Sequence, residues 1–179
     1  ARVRSLLLIK QQFSALQSQH EAMRIIATTD SLTGVRNKRY LLDNGDRFVT
    51  DRRHQPVSAV VLDIDFFKRL NDTPGHITCD RVLEQLGNLL IDAVRDDTLV
   101  ARFGGEEFVI LLQQCGLEDA LKRAEELRER VEHLHPAGHQ ITISIGVAER
   151  TERMATPQEV IKGADKALYR AKKKGRNRA

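Results

Sequence analysis

The chain has 179 residues, 41% of them hydrophobic and 30% charged, which suits one soluble globular domain with its own core and room for an appendage. A net charge of +4 permits an anionic ligand but lacks the basic stripe of a nucleic-acid binder, and the 2 cysteines, Cys79 and Cys115, have no metal-ligand spacing. That argues against a disulfide framework or a zinc site and fits a reducing, cytoplasmic compartment.

No apolar run approaches the roughly 20 residues that a membrane span needs, so no membrane contact is expected of this chain. The stretch Leu6-Leu7-Leu8-Ile9 is too short and too soon polar for a secretory signal. The chain starts without Met and inside a helical pattern. It therefore reads as a piece of a longer protein, with an upstream sensor domain expected, and the full length could be membrane-anchored.

Residues 1–29 read as one helix. Leu6, Ile9, Phe13, Leu16, His20, Met23 and Ala27 recur at alternating steps of three and four, a heptad seam, while Gln11, Gln12, Gln17 and Gln19 make a polar far side. The seam packs either on its own domain or, as the sustained period favours, on a second chain. Asp30-Ser31-Leu32-Thr33-Gly34 then breaks the pattern with turn residues, and Asn37 is placed to cap a helix over 38–54.

A strand follows over 57–65, apolar on both faces like a central strand covered on both sides. It ends in Asp63 and Asp65, on one face, with Ile64 pointing the other way. Carboxylates at the end of a buried strand are costly unless they are paired or hold a cation. Both readings, a salt-bridged structural pair and a metal site, stay open on the spacing alone.

Residues 66–72 form a short helical turn closed by Thr73-Pro74-Gly75, and 76–92 a helix with Val82, Leu83, Leu86, Leu89, Leu90 and Ala93 on its apolar face. After a loop over 95–98 comes Leu99-Val100-Ala101-Arg102-Phe103-Gly104-Gly105-Glu106-Glu107-Phe108-Val109-Ile110-Leu111-Leu112. Two β-type runs joined at a Gly-Gly pair read as a hairpin, with Glu106, Phe108 and Ile110 on one face and Glu107, Val109 and Leu111 on the other. Solvated turn carboxylates are the plain alternative to a functional role. A helix over 118–134, a strand over 141–147 and a helix over 156–174 complete the order, and the basic end Lys172-Lys173-Lys174-Gly175-Arg176 is either a solvated tail or an anion holder. Strand, helix, hairpin, helix, strand, helix implies an α+β sandwich on a small sheet.

If strand 57–65 and the hairpin are sheet neighbours, Asp63 and Glu106 can meet. Carboxylates that share a site repel unless a divalent cation holds them, and hard oxygen ligands suit Mg²⁺ or Mn²⁺. Such a cation beside lysine and arginine is the equipment of phosphoryl or nucleotidyl transfer.

The ordered motifs resemble the GGDEF family of diguanylate cyclase domains in its Gly-Gly-Glu-Glu-Phe spelling. The resemblance covers about residues 28–178 and runs through Asp30-Ser31-Leu32-Thr33-Gly34, Asp63-Ile64-Asp65-Phe66-Phe67-Lys68, Asn71-Asp72, Gly75-His76 and Asp80. It continues through the hairpin, Ser144-Ile145-Gly146-Val147, Ala164-Asp165, Ala167-Leu168-Tyr169, Ala171-Lys172 and Gly175-Arg176-Asn177. It implies a palm-like, ferredoxin-like βαββαβ core related to nucleotidyl cyclases, over residues 30–179, behind a coiled-coil helix over 1–29. The implied activity condenses two GTP into cyclic di-GMP with release of two pyrophosphates. One GTP sits on each subunit of a face-to-face homodimer joined through the N-terminal helix.

By that resemblance Asp63, the main-chain carbonyl of Ile64 and Glu106 hold Mg²⁺ or Mn²⁺, two per site, and Glu106 is also the base. Lys68 stabilises transition-state charge, Asn71 and Asp80 read guanine with His76 beside the substrate, and Lys172 and Arg176 hold the terminal phosphates. Gly104 and Gly105 let the backbone approach the nucleotide, while Asp65 and Glu107 support the site. The resemblance also marks a departure. The family's inhibitory Arg-x-x-Asp is here Arg95-Asp96-Asp97-Thr98, so feedback binding is expected to be weak. Pro74 and Cys79 also depart from the family's pattern. A catalytically silent domain that binds GTP or dimerises is the alternative function.

Overall fold

The computed structural model describes residues 2–72, 76–94 and 98–179. Its strands are β1 (Arg36–Asn37), β2 (Ser58–Ile64), β3 (Leu99–Gly104), β4 (Glu107–Leu112) and β5 (Ile143–Glu149). Its helices are α1 (Arg2–Thr28), α2 (Lys38–Thr50), α3 (Phe67–Asp72), α4 (His76–Ala93), α5 (Leu117–Leu134) and α6 (Pro157–Lys173).

The strands make one sheet in the order β1-β3-β4-β2-β5, in which β2 runs antiparallel to both β4 and β5. Every residue of β2 is buried, as its unbroken apolar run requires. Alternation then divides the core. Val60, Leu62 and Ile64 pack with Val82, Leu86 and Leu90 of α4 and with Ala124, Leu127 and Val131 of α5. On the other face Val57, Ala59 and Val61 pack with Leu41 and Val49 of α2 and with Val160, Ala164 and Leu168 of α6. Each fully buried Leu, Ile or Val contributes about 1.5–3 kcal/mol, and two such layers clamp β2 so that its last residues have a fixed place.

Local chemistry sets the element ends. The Asn37 side chain accepts from the Tyr40 N–H at 2.8 Å and starts α2, as its sequence position suggests. The expected helix over 38–54 stops early, because Asp51 leaves the helix and caps a separate 3-10 turn at Arg52–His54. The two-residue strand β1, parallel to β3, carries no periodicity and was not foreseen. Thr156 and Glu159 form a reciprocal capping box at the start of α6, with Pro157 in the first turn. The turn at 73–75 and residues 95–97 lie outside the described residues.

From Phe13 on, the seam of α1 is not covered by the domain that follows it: Phe13 is 60% exposed, Leu16 63% and Met23 69%. Packing of the seam against its own domain is therefore ruled out for these residues. No described helix is long and apolar enough to cross a membrane.

α6 rides directly on β5 at Gly146, where an added Cβ would lie 2.1 Å from the Ala164 carbonyl oxygen and 2.2 Å from the Leu168 nitrogen. Both are backbone atoms and cannot swing aside. Gly146→Ala is expected to destabilise the fold by about 3 kcal/mol through overpacking, read as a lower urea midpoint at unchanged slope.

Candidate functional site

The site is built at the end of β2, where the core layers run out. Asp63 is 7% exposed and continues the face covered by α2 and α6. In the sheet register it stands opposite Glu107 on β4 and Ser144 on β5. From α6, the Lys172 Nζ reaches its Oδ2 at 2.8 Å. Burial still pushes the Asp63 carboxyl above the usual carboxylate range. Lys172 pulls it down, and Glu106 and Asp65 add to the rise. Glu107 is raised too, first by burial and then by Asp63, with Lys172 opposing. Asp63, Glu106, Glu107 and Lys172 thus share one electrostatic field, in which the acids outnumber the ammonium.

The expected meeting of Asp63 with Glu106 takes a particular form. Glu107 opens β4 and is the direct cross-strand partner of Asp63, while Glu106 sits half-buried in the turn before it. Gly105 makes that turn with φ of +44°, in the left-handed region that favours glycine. At both Gly104 and Gly105 an added Cβ would meet no atom within 4 Å, so the backbone faces open space there.

Arg102 braces the turn. Its Nε and Nη2 donate to the Gly105 carbonyl at 2.9 and 2.8 Å, and its Nη1 donates to Asp30 Oδ1 at 3.1 Å. Asp30 also accepts from the Thr33 N–H at 3.0 Å and its hydroxyl at 2.8 Å. Burial raises the Asp30 carboxyl, but the bonds from Thr33 and Arg102 outweigh it and hold it below the usual range. Arg102 was not singled out as a site residue. Its signal was an arginine in an otherwise apolar strand, just before the glycine pair.

Asp65 is equally buried, at 7% exposure, but its carboxylate is filled with hydrogen bonds. It accepts from Thr142 Oγ1 at 2.8 Å, Ser144 Oγ at 2.7 Å and the Asn177 N–H at 3.1 Å. The guanidiniums of Arg176 and Arg69 lie 4.7 and 4.8 Å from the centroid of the Phe66 ring. Lys68 is exposed on α3, and His76 and Asp80 are exposed on α4, the helices that leave the carboxylate end of β2. Asn71 lies on α3, and Arg95 falls outside the described residues. A cleft of about 430 Å³ opens beside Glu107 and Lys172, walled by Asp165 and Tyr169.

Among the described residues no group of three or more His, Cys, Asp or Glu is gathered into a ready-made metal cage. Mg²⁺ does not need one, since it is commonly held by one or two carboxylates together with substrate phosphates. The donors Asp63, Glu106 and the Ile64 carbonyl are hard oxygens, and Asp63, Glu106 and Glu107 stand together with the Lys172 ammonium as their near cation. The residues fit a divalent cation.

The family model "Diguanylate cyclase, GGDEF domain" matches residues 27–178. The response regulator PleD of Caulobacter vibrioides is 38% identical over 190 residues, covering 99% of this chain and 41% of that protein. The probable diguanylate cyclase DgcT of Escherichia coli is 37% identical, covering 93% of this chain and 37% of that protein. The chain thus spans less than half the length of these curated relatives. Among solved structures, the coiled coil and GGDEF domain of DgcB from Caulobacter crescentus, in complex with c-di-GMP, superposes with a TM-score of 0.85 at 30% identity. The match covers 97% of this chain and 95% of that one.

The raised Glu107 carboxyl has a consequence for stability. A carboxyl whose pKa is raised by folding favours the folded state at low pH, and that contribution is lost as pH rises through the folded value. Glu107→Gln is therefore expected to be more stable than the wild type at pH 7, with the gap closing as pH falls to about 4. Urea unfolding at the two pH values measures this, and an equal gap at both would contradict it.

Proposed function

The chain belongs to the GGDEF family of diguanylate cyclase domains, and from that we propose that it condenses two GTP into cyclic di-GMP. The observation that supports this most directly is the buried Asp63 facing Glu107 across the sheet, with Glu106 in the adjoining open turn and Lys172 at 2.8 Å. No loss among the metal acids or the signature favours a silent domain.

In this reading each ribose 3′-hydroxyl attacks the α-phosphate of the other GTP. The bond to the β-phosphate breaks, pyrophosphate leaves, and Glu106 takes the hydroxyl proton. Asp63, Glu106 and the Ile64 carbonyl would hold the divalent cations, Mg²⁺ or Mn²⁺ and two per site. When bound, those cations neutralise charge on the phosphates. Lys68 stabilises charge that develops at the reacting phosphate, and Lys172 and Arg176 grip the terminal phosphates. Asn71 and Asp80 recognise guanine, whose edge offers both acceptor and donors, with His76 alongside. The open backbone at Gly104 and Gly105 admits the nucleotide closely. Asp65 and Glu107 support the site without touching the nucleotide.

One domain holds one GTP, so the reaction needs two sites face to face. We take residues 1–29 as the coiled coil that pairs two catalytic domains over 30–179 and carries a signal from an upstream sensor. The exposed seam of Phe13, Leu16 and Met23 supports this division.

Incubation with GTP and Mg²⁺ is expected to yield cyclic di-GMP, followed by chromatography, and Glu106→Ala is expected to lower the rate by at least about 10³-fold. GTP binding without product, at concentrations that force dimers, would overturn the cyclase reading. A strictly monomeric sedimentation profile at micromolar concentration would overturn the coiled-coil pairing. With Thr98 where an inhibitory Asp would stand, calorimetry is expected to find weak or no cyclic di-GMP binding that depends on Arg95. Tight binding abolished by Arg95→Ala would contradict that.

A further inference from the structure

Asp65 is two residues beyond Asp63, just past the end of β2, which invites reading it as another metal ligand. Its bonding points elsewhere. Oδ1 accepts from Ser144, and Oδ2 accepts from both Thr142 and the Asn177 backbone N–H. All of these partners are donors, and together they take three of the roughly four lone-pair sites of a carboxylate, which leaves it little to offer a cation.

What the carboxylate holds is the chain end. The last of those bonds spans 112 residues. Around it the tail is fastened at several points. The Arg176 N–H donates to the Ala171 carbonyl at 3.1 Å, and the Ile145 N–H on β5 donates to the Arg178 carbonyl at 2.8 Å. The Asn177 amide accepts from Arg128 at 2.9 Å and donates to Glu132 at 3.0 Å. Arg176 and Asn177 both have left-handed φ, +63° and +47°; asparagine enters that region readily, but an arginine seldom does unless its surroundings hold it there. The same turn sets the Arg176 guanidinium over Phe66, the residue that directly follows Asp65.

We infer that Asp65 is a positioning residue that fixes the left-handed C-terminal turn and thereby aims Arg176 at the terminal phosphates of the nucleotide. This rests on the reading of Arg176 as a phosphate holder. Asparagine at position 65 would keep the shape but turn an NH₂ group toward one of the donor sets. The tail would come loose while Asp63 and Glu106 stay in place.

The test compares a GTP analogue with an α,β-methylene bridge, which cannot release pyrophosphate, with GMP, which has no terminal phosphates. Calorimetry is expected to show Asp65→Asn weakening the analogue by about tenfold while GMP stays within about twofold. Arg176→Ala should do the same, and the double variant no more than either single one. Without nucleotide, amide exchange at Asn177 and Ile145 should quicken in Asp65→Asn. Unchanged exchange, equal weakening of both nucleotides, or additive single effects would each overturn the inference. If Asp65→Asn does not fold, Ser144→Ala keeps the charge but removes one donor and should give the same pattern at about threefold; wild-type selectivity from it would be a refutation. A wild type that binds neither nucleotide would sink the reading of the site, and exchange at Asn177 would still decide whether Asp65 holds the tail.

Discussion

The rest of the structure depends on a carboxylate kept where it is costly to keep one. Asp63 lies almost wholly inside the protein, at the end of a strand whose other residues are packed on both faces. An ionised carboxylate in that position loses several kcal/mol of hydration, and one lysine at the margin returns only part of it. Both layers of the core serve to hold β2 against that deficit. A cation placed beside this carboxylate would relieve that cost, because positive charge is what a buried acid lacks there.

Around this acid the chain spends its polar side chains on fixing backbone rather than on further acids. Arg102 ties the signature turn to Asp30 at the end of the N-terminal segment, through a guanidinium whose side chain is 16% exposed. Its fork geometry, with two nitrogens on the Gly105 carbonyl, holds a direction as well as a distance, which an ammonium could not do. Asp65 does the corresponding work on the other side of the strand. The turn that carries Glu106 and the turn that carries Arg176 are thus each held by a partly buried ion or hydrogen-bond network anchored elsewhere in the sequence.

The elements and the acids were readable in the sequence because they are periodic or local. An unbroken apolar run told of a central strand, three-four spacing told of helices, and a Gly-Gly pair between β-type runs told of the hairpin. The helix end at Thr50 was missed because Asp51, a capping residue, lies inside an amphipathic pattern that continues past it. β1 is too short to have a period. The pairing of Asp63 with Glu107 rather than Glu106 is a matter of register, which a sequence fixes only once it is known where the strand starts. Arg102 and the bonds of Asp65 were hidden for a further reason. Their partners are partly backbone groups, the Gly105 carbonyl and the Asn177 N–H, which have no residue type to give them away, and partly the distant side chains of Asp30, Thr142 and Ser144, which no local spacing links to them.

Sequence separation has a consequence for how the protein folds. The bond from Asn177 to Asp65 closes 112 residues and that from Arg102 to Asp30 closes 72. The sheet itself joins residues comparably far apart, since β2 pairs with β5, so these bonds are made within a frame that already brings their ends together. The site draws on residues from distant parts of the chain, so a ligand that occupies it stabilises the whole domain rather than one element.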